Sequence, residues 1–275
     1  MNSNEILPKV SLHSANTSIY VFGSQKNWLN SFWNLTDIHR MLNKEKITIC
    51  YLPSTSDFLG TLSDPEAFED AGFRNGLSLW TLPTEGLLLP KGTAVLFRSA
   101  DCPTLVCRDL EKGEVFTCHA GLNSVIDKKK ILTGKTDESS PRIHDGVVGS
   151  LLDLSLYSIE DIEISLHCGI RHSSFIYDIH DEVHGKNNEI ILDHLINKYG
   201  EASVPMGKKH GGISIKNIIS AQFEAFGIHS EIVYDDIDTA TDKDEDGEYS
   251  YWSHYRYYHE DEIASGRNGV LIIHK

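Results

Sequence analysis

The chain has 275 residues, 40% of them hydrophobic, which is enough to build a substantial core in one large domain or two small ones. Its 40 acidic and 25 basic residues leave a net charge of -15, which argues against nucleic acid and anionic membrane as partners. No apolar run approaches the roughly 18 residues that span a bilayer, and the N-terminal residues lack the pattern of a secretory signal.

The first part of the chain is rich in short apolar runs that are bounded by turn residues, a pattern typical of strands. One longer segment has helical spacing instead, and residues 53–64 form a polar loop. In chain order the predicted elements are strand Ser18–Gly23, helix Trp28–Asn43, strand Ile47–Leu52, strand Leu77–Leu82, and the strands Ala94–Phe97, Thr104–Cys107 and Val115–Cys118.

The second part of the chain mixes helices with strands. In order it predicts helix Leu122–Leu132, helix Asp145–Leu154 with Asp145 as N-cap, strand Ile162–Cys168, helix Asn188–Lys198, helix Ser214–Phe226 closed by Gly227, and the strands Ser230–Tyr234, Trp252–Tyr258 and Gly269–His274. Because the elements follow no regular strand–helix–strand rhythm, we expect an α+β fold with mixed sheets flanked by helices. Without a repeat or a low-complexity linker, one domain over residues 1–275 is the simpler interpretation.

Cysteine usage indicates the compartment. The chain has five cysteines at irregular spacing, and an odd number in a long chain without a signal predicts reduced thiols in the cytoplasm. No two of them have the CxxC spacing of a zinc ribbon. They are Cys50, Cys102, Cys107, Cys118 and Cys168.

A thiol and an imidazole are predicted to meet at one edge of a sheet. The strands Thr104–Cys107 and Val115–Cys118 form a hairpin, which brings the flanking Cys102 and His119 toward the same edge. Such a pair can ligate a metal or act as nucleophile and base. Asp101, beside Cys102, is a third catalytic candidate, although a cysteine in a strand is more often part of the core.

Two other polar clusters are weaker candidates. His167 and His172 bracket a turn that could supply a ligand or a base if it faces the hairpin, whereas histidines in polar loops, such as His180 and His184, usually lie on the surface. Residues 242–248 resemble the start of a calcium loop, but the twelfth position is Ser253 rather than a bidentate Glu. A solvated acidic turn is therefore favoured there.

At the hairpin the sequence resembles the laccase-domain family, first named multicopper polyphenol oxidoreductases and better understood as purine nucleoside enzymes with adenosine phosphorylase and adenosine deaminase activity. Ala100–Cys102 followed by His119–Gly121 matches its ADC…HAG signature. Gly169–Ile179 is similar to its GPxIxxxxYEV turn, and residues 213–227 to its penultimate helix. The closing S-[HY]-R-R…GR segment matches 253–256 and 266–267, so the resemblance covers about residues 79–275 and leaves a divergent N-terminal part.

The resemblance implies the laccase-domain fold, also called cytotoxic-necrotizing-factor-like, and a zinc held by a His, a Cys and a second His. Cys102 and His119 stand at the last two ligand positions. The first His is missing, because no histidine occurs between His39 and His119, and only Asp57 could ligate from that segment. The pattern of a blue-copper site with an axial Met is absent, so copper is less favoured than zinc.

The resemblance also implies a substrate pocket for a purine nucleoside and phosphate. Its lining would include His172, Ser253, Arg256 and Arg267, with one of the two arginines meeting phosphate. The alternative role for Arg256 and Arg267 is a salt bridge to the acidic loop that spans residues 235–248. The family's HAGWRG becomes HAGLNS at 119–124, which removes an arginine near the site.

Three functions therefore compete. In the first, the chain is a divergent purine nucleoside-processing enzyme that phosphorolyses or deaminates adenosine- or inosine-type nucleosides at a Cys/His zinc-type site. The second is a metal-free hydrolase with Cys102 as nucleophile and His119 as base. The third is a catalytically inactive homologue that acts as a binding protein. We favour the first, because the Cys102/His119 pair and the tail 253–267 are retained together.

Overall fold

The computed structural model describes residues 8–14, 16–25, 27–28, 38–39, 41–54, 62–74, 76–135, 146–154, 161–259 and 266–275. Within these ranges the strands form one seven-stranded and one six-stranded sheet. The strands are β1 Val10–His13, β2 Thr17–Phe22, β3 Ile49–Ser54, β4 Leu62–Ser63, β5 Glu69–Arg74, β6 Leu77–Pro83, β7 Gly86–Leu89, β8 Thr93–Ser99, β9 Thr104–Asp109, β10 Val115–His119, β11 Ile162–His167, β12 Ile232–Tyr234 and β13 Asn268–His274.

Six helices and two short 3-10 turns, Pro65–Ala67 and Glu201–Ser203, have bounds within the described part of the chain. The helices are α1 Leu122–Val125, α2 Lys128–Thr133, α3 Val147–Leu154, α4 Gly185–Tyr199, α5 Ile215–Ala225 and α6 His254–His259. No helix among the described residues has the length and apolar character required to cross a membrane.

Both sheets mix parallel and antiparallel pairs. The seven-stranded sheet, called here the first sheet, has the order β1-β2-β13-β8-β3-β6-β5, with β3 parallel to β6 and β8. The second sheet has the order β12-β11-β9-β10-β7-β4, in which β11–β12 and β4–β7 are the parallel pairs. The predicted fold class, α+β with mixed sheets flanked by helices, is confirmed.

The two sheets pack face to face, because their central strands are apolar on both sides. In β8, Val95 and Phe97 point into a core shared with Leu87 and Val106 of the second sheet. The alternate residues of β8, such as Leu96, face a different core on the outer side of the first sheet. This explains why β8 forms a continuous apolar run rather than an alternating one.

Helices cover the outer face of the second sheet. Leu105 and Phe116 of that sheet pack in one cluster with Leu151 of α3, Leu192 of α4 and Ile218 of α5. This core is the largest of the three clusters, so the second sheet and its helices form a firm support for any side chain at the strand ends.

Most predicted strands are observed, and two elements differ from the prediction. The predicted strand Trp252–Tyr258 is wrong, since the structure has helix α6 there. Its aromatic residues favour strands, but the Ser253 hydroxyl accepts a hydrogen bond from the Arg256 amide and caps the helix. The single predicted helix Leu122–Leu132 is wrong in its continuity, because the chain is extended at Ile126 between α1 and α2.

Other differences lie toward the N-terminal part. The sequence analysis missed strands β1, β4, β5 and β7, which are short or polar. Of the predicted helix Trp28–Asn43, the structure describes residues 28, 38–39 and 41–43, and residues 38–39 and 41–43 are helical. The predicted N-cap Asp145 lies outside the described residues, whereas Ser214 caps α5 as a Ser N-cap should and Gly227 follows that helix with φ of 80°.

The start of β7 requires a glycine because β7 approaches β10 closely. Gly86 pairs with Cys118 in the antiparallel register of these strands. A Cβ atom at this position would overlap the Thr117 carbonyl oxygen and the Cys118 Cβ, both on β10. The close approach also sets the position of Glu85, whose carbonyl oxygen accepts a hydrogen bond of 2.7 Å from the His119 amide.

We therefore expect Gly86→Ala to lower the free energy of unfolding by about 2 kcal/mol or more, since the added methyl group has to push two strands apart. Denaturant unfolding of the purified protein measures this change. The control is Lys91→Ala in the exposed turn between β7 and β8, which should change stability by less than about 0.5 kcal/mol. Equal stability of the two variants would contradict the close approach.

Candidate functional site

A cleft of about 510 Å³ opens where strand ends from both sheets meet, a volume that suits a small ligand. The first sheet contributes the ends of β3 and β8 and the residue before β13, and the second sheet contributes the end of β10. The lining residues are Pro53, Ser54, Arg98, Ser99, Ala100, Asp101, Cys102, His119, Phe175, His254 and Arg267.

Cys102 and His119 meet in this cleft, as the hairpin predicted. His119 ends β10 and pairs with Thr104, the first residue of β9, so Cys102 lies just before the strand that flanks it. The Cys102 side chain lies close enough to His119 to raise the pKa of its ring. Gly121 lies between them, because a Cβ there would be 2.8 Å from the Cys102 Sγ and 2.9 Å from the His119 Cε1. Both side chains therefore converge on one point.

A buried carboxylate, Glu85, completes a chain of three side chains. Its Oε2 lies 2.6 Å from the His119 Nδ1, and its side chain is only 3% exposed. The Ser124 hydroxyl lies 3.1 Å from the same nitrogen. Since Glu85 and Ser124 occupy Nδ1, Nε2 is the ring nitrogen left for Cys102. A Glu–His–Cys arrangement of this kind orients the imidazole and can support nucleophilic or acid–base chemistry.

The environment of His119 favours its protonated form. Burial alone would lower the pKa of His119, but the adjacent Cys102 and the Glu85 carboxylate, which accepts a hydrogen bond from Nδ1, outweigh it and raise the pKa to about 10. At neutral pH the ring is therefore an imidazolium that can donate a proton into the cleft.

Cys102 differs from the other cysteines in its surroundings. All five are free, and four of them are buried in the cores, whereas Cys102 is partly exposed in the cleft. Burial raises the pKa of Cys50 to about 12, and it also raises the pKa values of Cys107, Cys118 and Cys168. The four buried thiols are therefore poor nucleophiles at neutral pH.

Asp101 holds the loop that carries Cys102. Its Oδ1 accepts a hydrogen bond of 2.7 Å from the Thr239 hydroxyl, and its Oδ2 accepts one of 2.7 Å from the Tyr255 amide. Its carbonyl oxygen accepts a further bond of 2.8 Å from the Ile170 amide. The catalytic role predicted for Asp101 stays a prediction, and the observed contacts make it a positioning residue for Cys102.

The side of the cleft formed by the first sheet is cationic. Arg98 is the second-last residue of β8, and Arg267 directly precedes β13, the strand beside β8. Both guanidinium-bearing residues line the cleft, and burial together with the charge of Arg267 lowers the pKa of Arg98. Two adjacent arginines in a partly buried cleft form a site for an anion such as phosphate or a carboxylate.

The structure does not bring three of the predicted substrate-binding residues to the cleft. Arg256 is buried, and its guanidinium donates to the carbonyl oxygens of Thr239, Ala240 and Tyr251 at 2.5–2.9 Å. Arg256 therefore contacts the acidic loop, as in the alternative role predicted from the sequence, but through backbone carbonyl oxygens rather than through a salt bridge. Ser253 caps α6, and His172 is exposed outside the cleft lining.

A complete zinc site cannot be assembled from the described residues. Cys102 and His119 supply two donors of the right chemistry, and the Glu85 contact to Nδ1 is the kind that orients a metal-bound histidine. A catalytic zinc needs three protein ligands, and the described part of the chain has no group of three His, Cys, Asp or Glu residues placed to hold a metal. Asp57, the predicted substitute ligand, lies outside the described residues.

The sequence analysis missed Glu85 and Arg98. Each left a weak signal, since Glu85 is a lone carboxylate directly before the apolar strand β7, and Arg98 is the single charged residue of β8. A charge in an otherwise buried strand requires a partner or a function. The sequence could not show that Glu85 contacts His119 or that Arg98 shares a cleft with Arg267, because these residues are 34 and 169 positions apart in the chain.

No protein-family model matches the sequence, and no curated protein is similar to it. Solved structures do match. Neisseria meningitidis NMB0706, described as family DUF152, has a TM-score of 0.64 at 12% identity over 97% of this chain and 98% of its own. Bacillus licheniformis YfiH, described as a hypothetical protein, has a TM-score of 0.62 at 14% identity over 94% of this chain and 93% of its own. YlmD from Geobacillus stearothermophilus has a TM-score of 0.58 at 16% identity over 95% of this chain and 93% of its own.

At such low identity these likenesses show the fold. They extend over nearly the whole chain, including the N-terminal part that the sequence analysis treated as divergent. The mixed sheets flanked by helices are thus a shared architecture of the solved structures and of this chain. The chemistry at the cleft has to be argued from its own residues.

The thiol environments predict selective labelling. Iodoacetamide applied to the native protein at neutral pH should alkylate Cys102 alone, because the other four thiols are buried with raised pKa values. Peptide mass spectrometry locates the label. Native Cys102→Ser should take up no label, and denatured wild-type protein should be labelled at all 5 cysteines. Comparable native labelling of a buried cysteine would contradict the burial described here.

Replacing the buried carboxylate should change the titration of His119. Glu85→Gln is expected to lower the His119 pKa from about 10 toward the ordinary value of 6.5, as followed by NMR of the ring protons. A raised folded-state pKa stabilises the fold below pH 6.5 and loses that effect as the pH rises toward 10. Wild-type protein should therefore lose more unfolding free energy across this range than Glu85→Gln, and equal losses would contradict the coupling.

Proposed function

We propose that the chain is a divergent purine nucleoside-processing enzyme of the laccase-domain type, acting on adenosine- or inosine-type nucleosides. The observation that supports the proposal is that two sets of side chains, one able to transfer a proton and one able to bind an anion, meet at one cleft. Glu85, His119 and Cys102 form the first, and Arg98 with Arg267 forms the second. Phosphorolysis needs both, because a phosphate has to be held while the departing base receives a proton.

In the proposed reaction Arg98 and Arg267 hold hydrogen phosphate against the sugar. A phosphate oxygen forms a bond to C1′ of the ribose as the bond from C1′ to the base nitrogen breaks. The base leaves with the electron pair of that bond and takes a proton from the His119 imidazolium. The proton that the phosphate loses restores His119, so the products are the free base and ribose 1-phosphate.

Glu85 and Cys102 serve this step by their contacts with His119. Glu85 fixes the ring through Nδ1 and keeps it charged, so that Nε2 presents the proton to the cleft. Cys102 lies beside the ring in the cleft. Zinc, which the sequence resemblance implies, would need a ligand beyond Cys102 and His119, and the steps above use the chain's own side chains alone.

A Cys-dependent hydrolase is the second candidate. The Glu85–His119–Cys102 chain favours it, because a buried carboxylate that orients the histidine of a Cys–His pair is the arrangement that activates a thiolate nucleophile. In that reaction Cys102 would attack an electrophilic carbon of an anionic substrate held by Arg98 and Arg267, and water would release the product. For either activity we expect a cytoplasmic protein with reduced thiols and without nucleic acid or membrane as partner.

We expect the purified protein to release free base from adenosine, inosine or guanosine in a phosphate-dependent reaction. Cys102→Ala should abolish the release, whereas Arg98→Ala and Arg267→Ala should raise KM for phosphate by about tenfold or more through loss of a charged contact. Chromatography of the bases measures the rate. Arg108→Ala is the matched control, since Arg108 pairs with Glu163 on the outer part of β9 and β11, away from the cleft lining.

The outcomes separate the candidates. Absence of base release from all three nucleosides at high enzyme concentration would overturn the nucleoside proposal. Ester or amide hydrolysis that persists in a chelator and stops on alkylation of Cys102 would establish the second candidate instead. The zinc content of untagged wild-type protein and of Cys102→Ala and His119→Ala tests whether zinc binds here. Zinc bound at this site should be present in wild type and absent from both variants.

A further inference from the structure

Among the residues that the structure describes, two aromatic rings line the cleft besides that of His119. Phe175 comes from the loop that follows β11, and His254 is the first residue of α6. Neither was a predicted site residue. They stand in the same cleft as the Cys102–His119 pair and the Arg98–Arg267 pair, so the cleft offers flat apolar surface as well as charge.

Phe175 is held in place from several sides. Its amide donates to the Arg171 carbonyl at 2.8 Å, and its carbonyl accepts from the Ile213 amide at 3.0 Å. Its ring meets the Tyr177 ring edge-on, with centroids 5.5 Å apart. The Tyr177 hydroxyl in turn accepts a hydrogen bond of 2.9 Å from the Lys128 ammonium. A ring fixed in this way loses little conformational entropy when a ligand packs on it.

His254 is supported in a similar manner. Its ring packs against the Tyr258 ring at a centroid distance of 4.5 Å in an edge-on arrangement. The start of its helix is fixed by the bond from the Tyr255 amide to the Asp101 carboxylate. Burial and the charge of Arg267 lower the pKa of His254, against the opposing influence of Asp101. At neutral pH His254 is thus a neutral flat ring rather than a third cation in the cleft.

We propose that Phe175 and His254 are specificity-determining residues that bind the planar heteroaromatic ring of the substrate. The inference rests on the proposed function in naming that ring as a purine. Aromatic side chains stack on the faces of bases, and this contact does not depend on the hydrogen-bonding groups at the edge of the base. Such stacking is a recurrent way of holding a base. With the ring on Phe175 and His254, the sugar and phosphate are left to the charged part of the cleft.

The test compares variants that remove or keep each ring. Phe175→Leu removes the ring and keeps apolar volume, and Phe175→Tyr keeps the ring. His254→Leu and His254→Phe form the corresponding pair. Isothermal titration calorimetry on the full chain measures Kd for adenosine, adenine, inorganic phosphate, ribose 5-phosphate and 4-nitrophenyl phosphate, and a thermal unfolding scan checks that each variant is folded.

We expect the Leu variants to weaken adenosine and adenine binding by about tenfold each, and the ring-keeping variants to weaken it by less than about twofold. Phosphate and ribose 5-phosphate should bind every variant as they bind wild type. The ring-binding role is overturned if both Leu variants bind adenine like wild type, even where base release continues and the proposed function stands.

Another result would separate the two proposals in the opposite direction. If wild type binds 4-nitrophenyl phosphate but no purine, and the Leu variants lose that binding, the ring-binding role is supported while the purine nucleoside proposal fails. If wild type binds none of the ring compounds at millimolar concentration, the ring-binding role is overturned.

Discussion

The carboxylate of Asp101 joins parts of the chain that are far apart in sequence, and the cleft depends on it. One oxygen receives the Thr239 hydroxyl and the other receives the Tyr255 amide at the start of α6. Because Cys102 is the next residue and His254 precedes Tyr255, one side chain sets the separation of the thiol from the ring-bearing helix. A carboxylate with both oxygens hydrogen-bonded is a rigid connector, since it fixes the chain at two separate points.

The loop that carries Asp101 is also where the chain passes from the first sheet to the second. It begins at the end of β8 and ends at the start of β9, and nearly every residue in it is bonded. The Ser99 hydroxyl donates to the Cys102 carbonyl, Asn268 donates to the Ala100 carbonyl, and the Ala120 amide donates to the Pro103 carbonyl. The site thus gains its precision from backbone contacts that hold a short crossing loop.

Much of the fold, and the Cys102–His119 pair of the site, could be predicted from local sequence patterns. Apolar runs such as β8 and β13 were predictable because strands buried on both faces leave an unmistakable pattern, and a hairpin has to bring Cys102 near His119. Where contacts between residues far apart in the chain determine the structure, the sequence alone did not predict it. The aromatic run at α6 favours a strand until Ser253 caps it, and Glu85 acquires its role only when β7 lies against β10.

The division of the cleft between the sheets has a mechanical consequence. Arg98 and Arg267 belong to the first sheet, whereas His119 and Glu85 stand at strand ends of the second. A ligand that touches both sides bridges the two layers of the sandwich and acts as a clamp against their separation. Occupancy of the cleft should consequently raise the melting temperature, because the stabilisation grows with the logarithm of one plus the ratio of ligand concentration to Kd. Compound libraries can therefore be screened by thermal shift before any reaction is known.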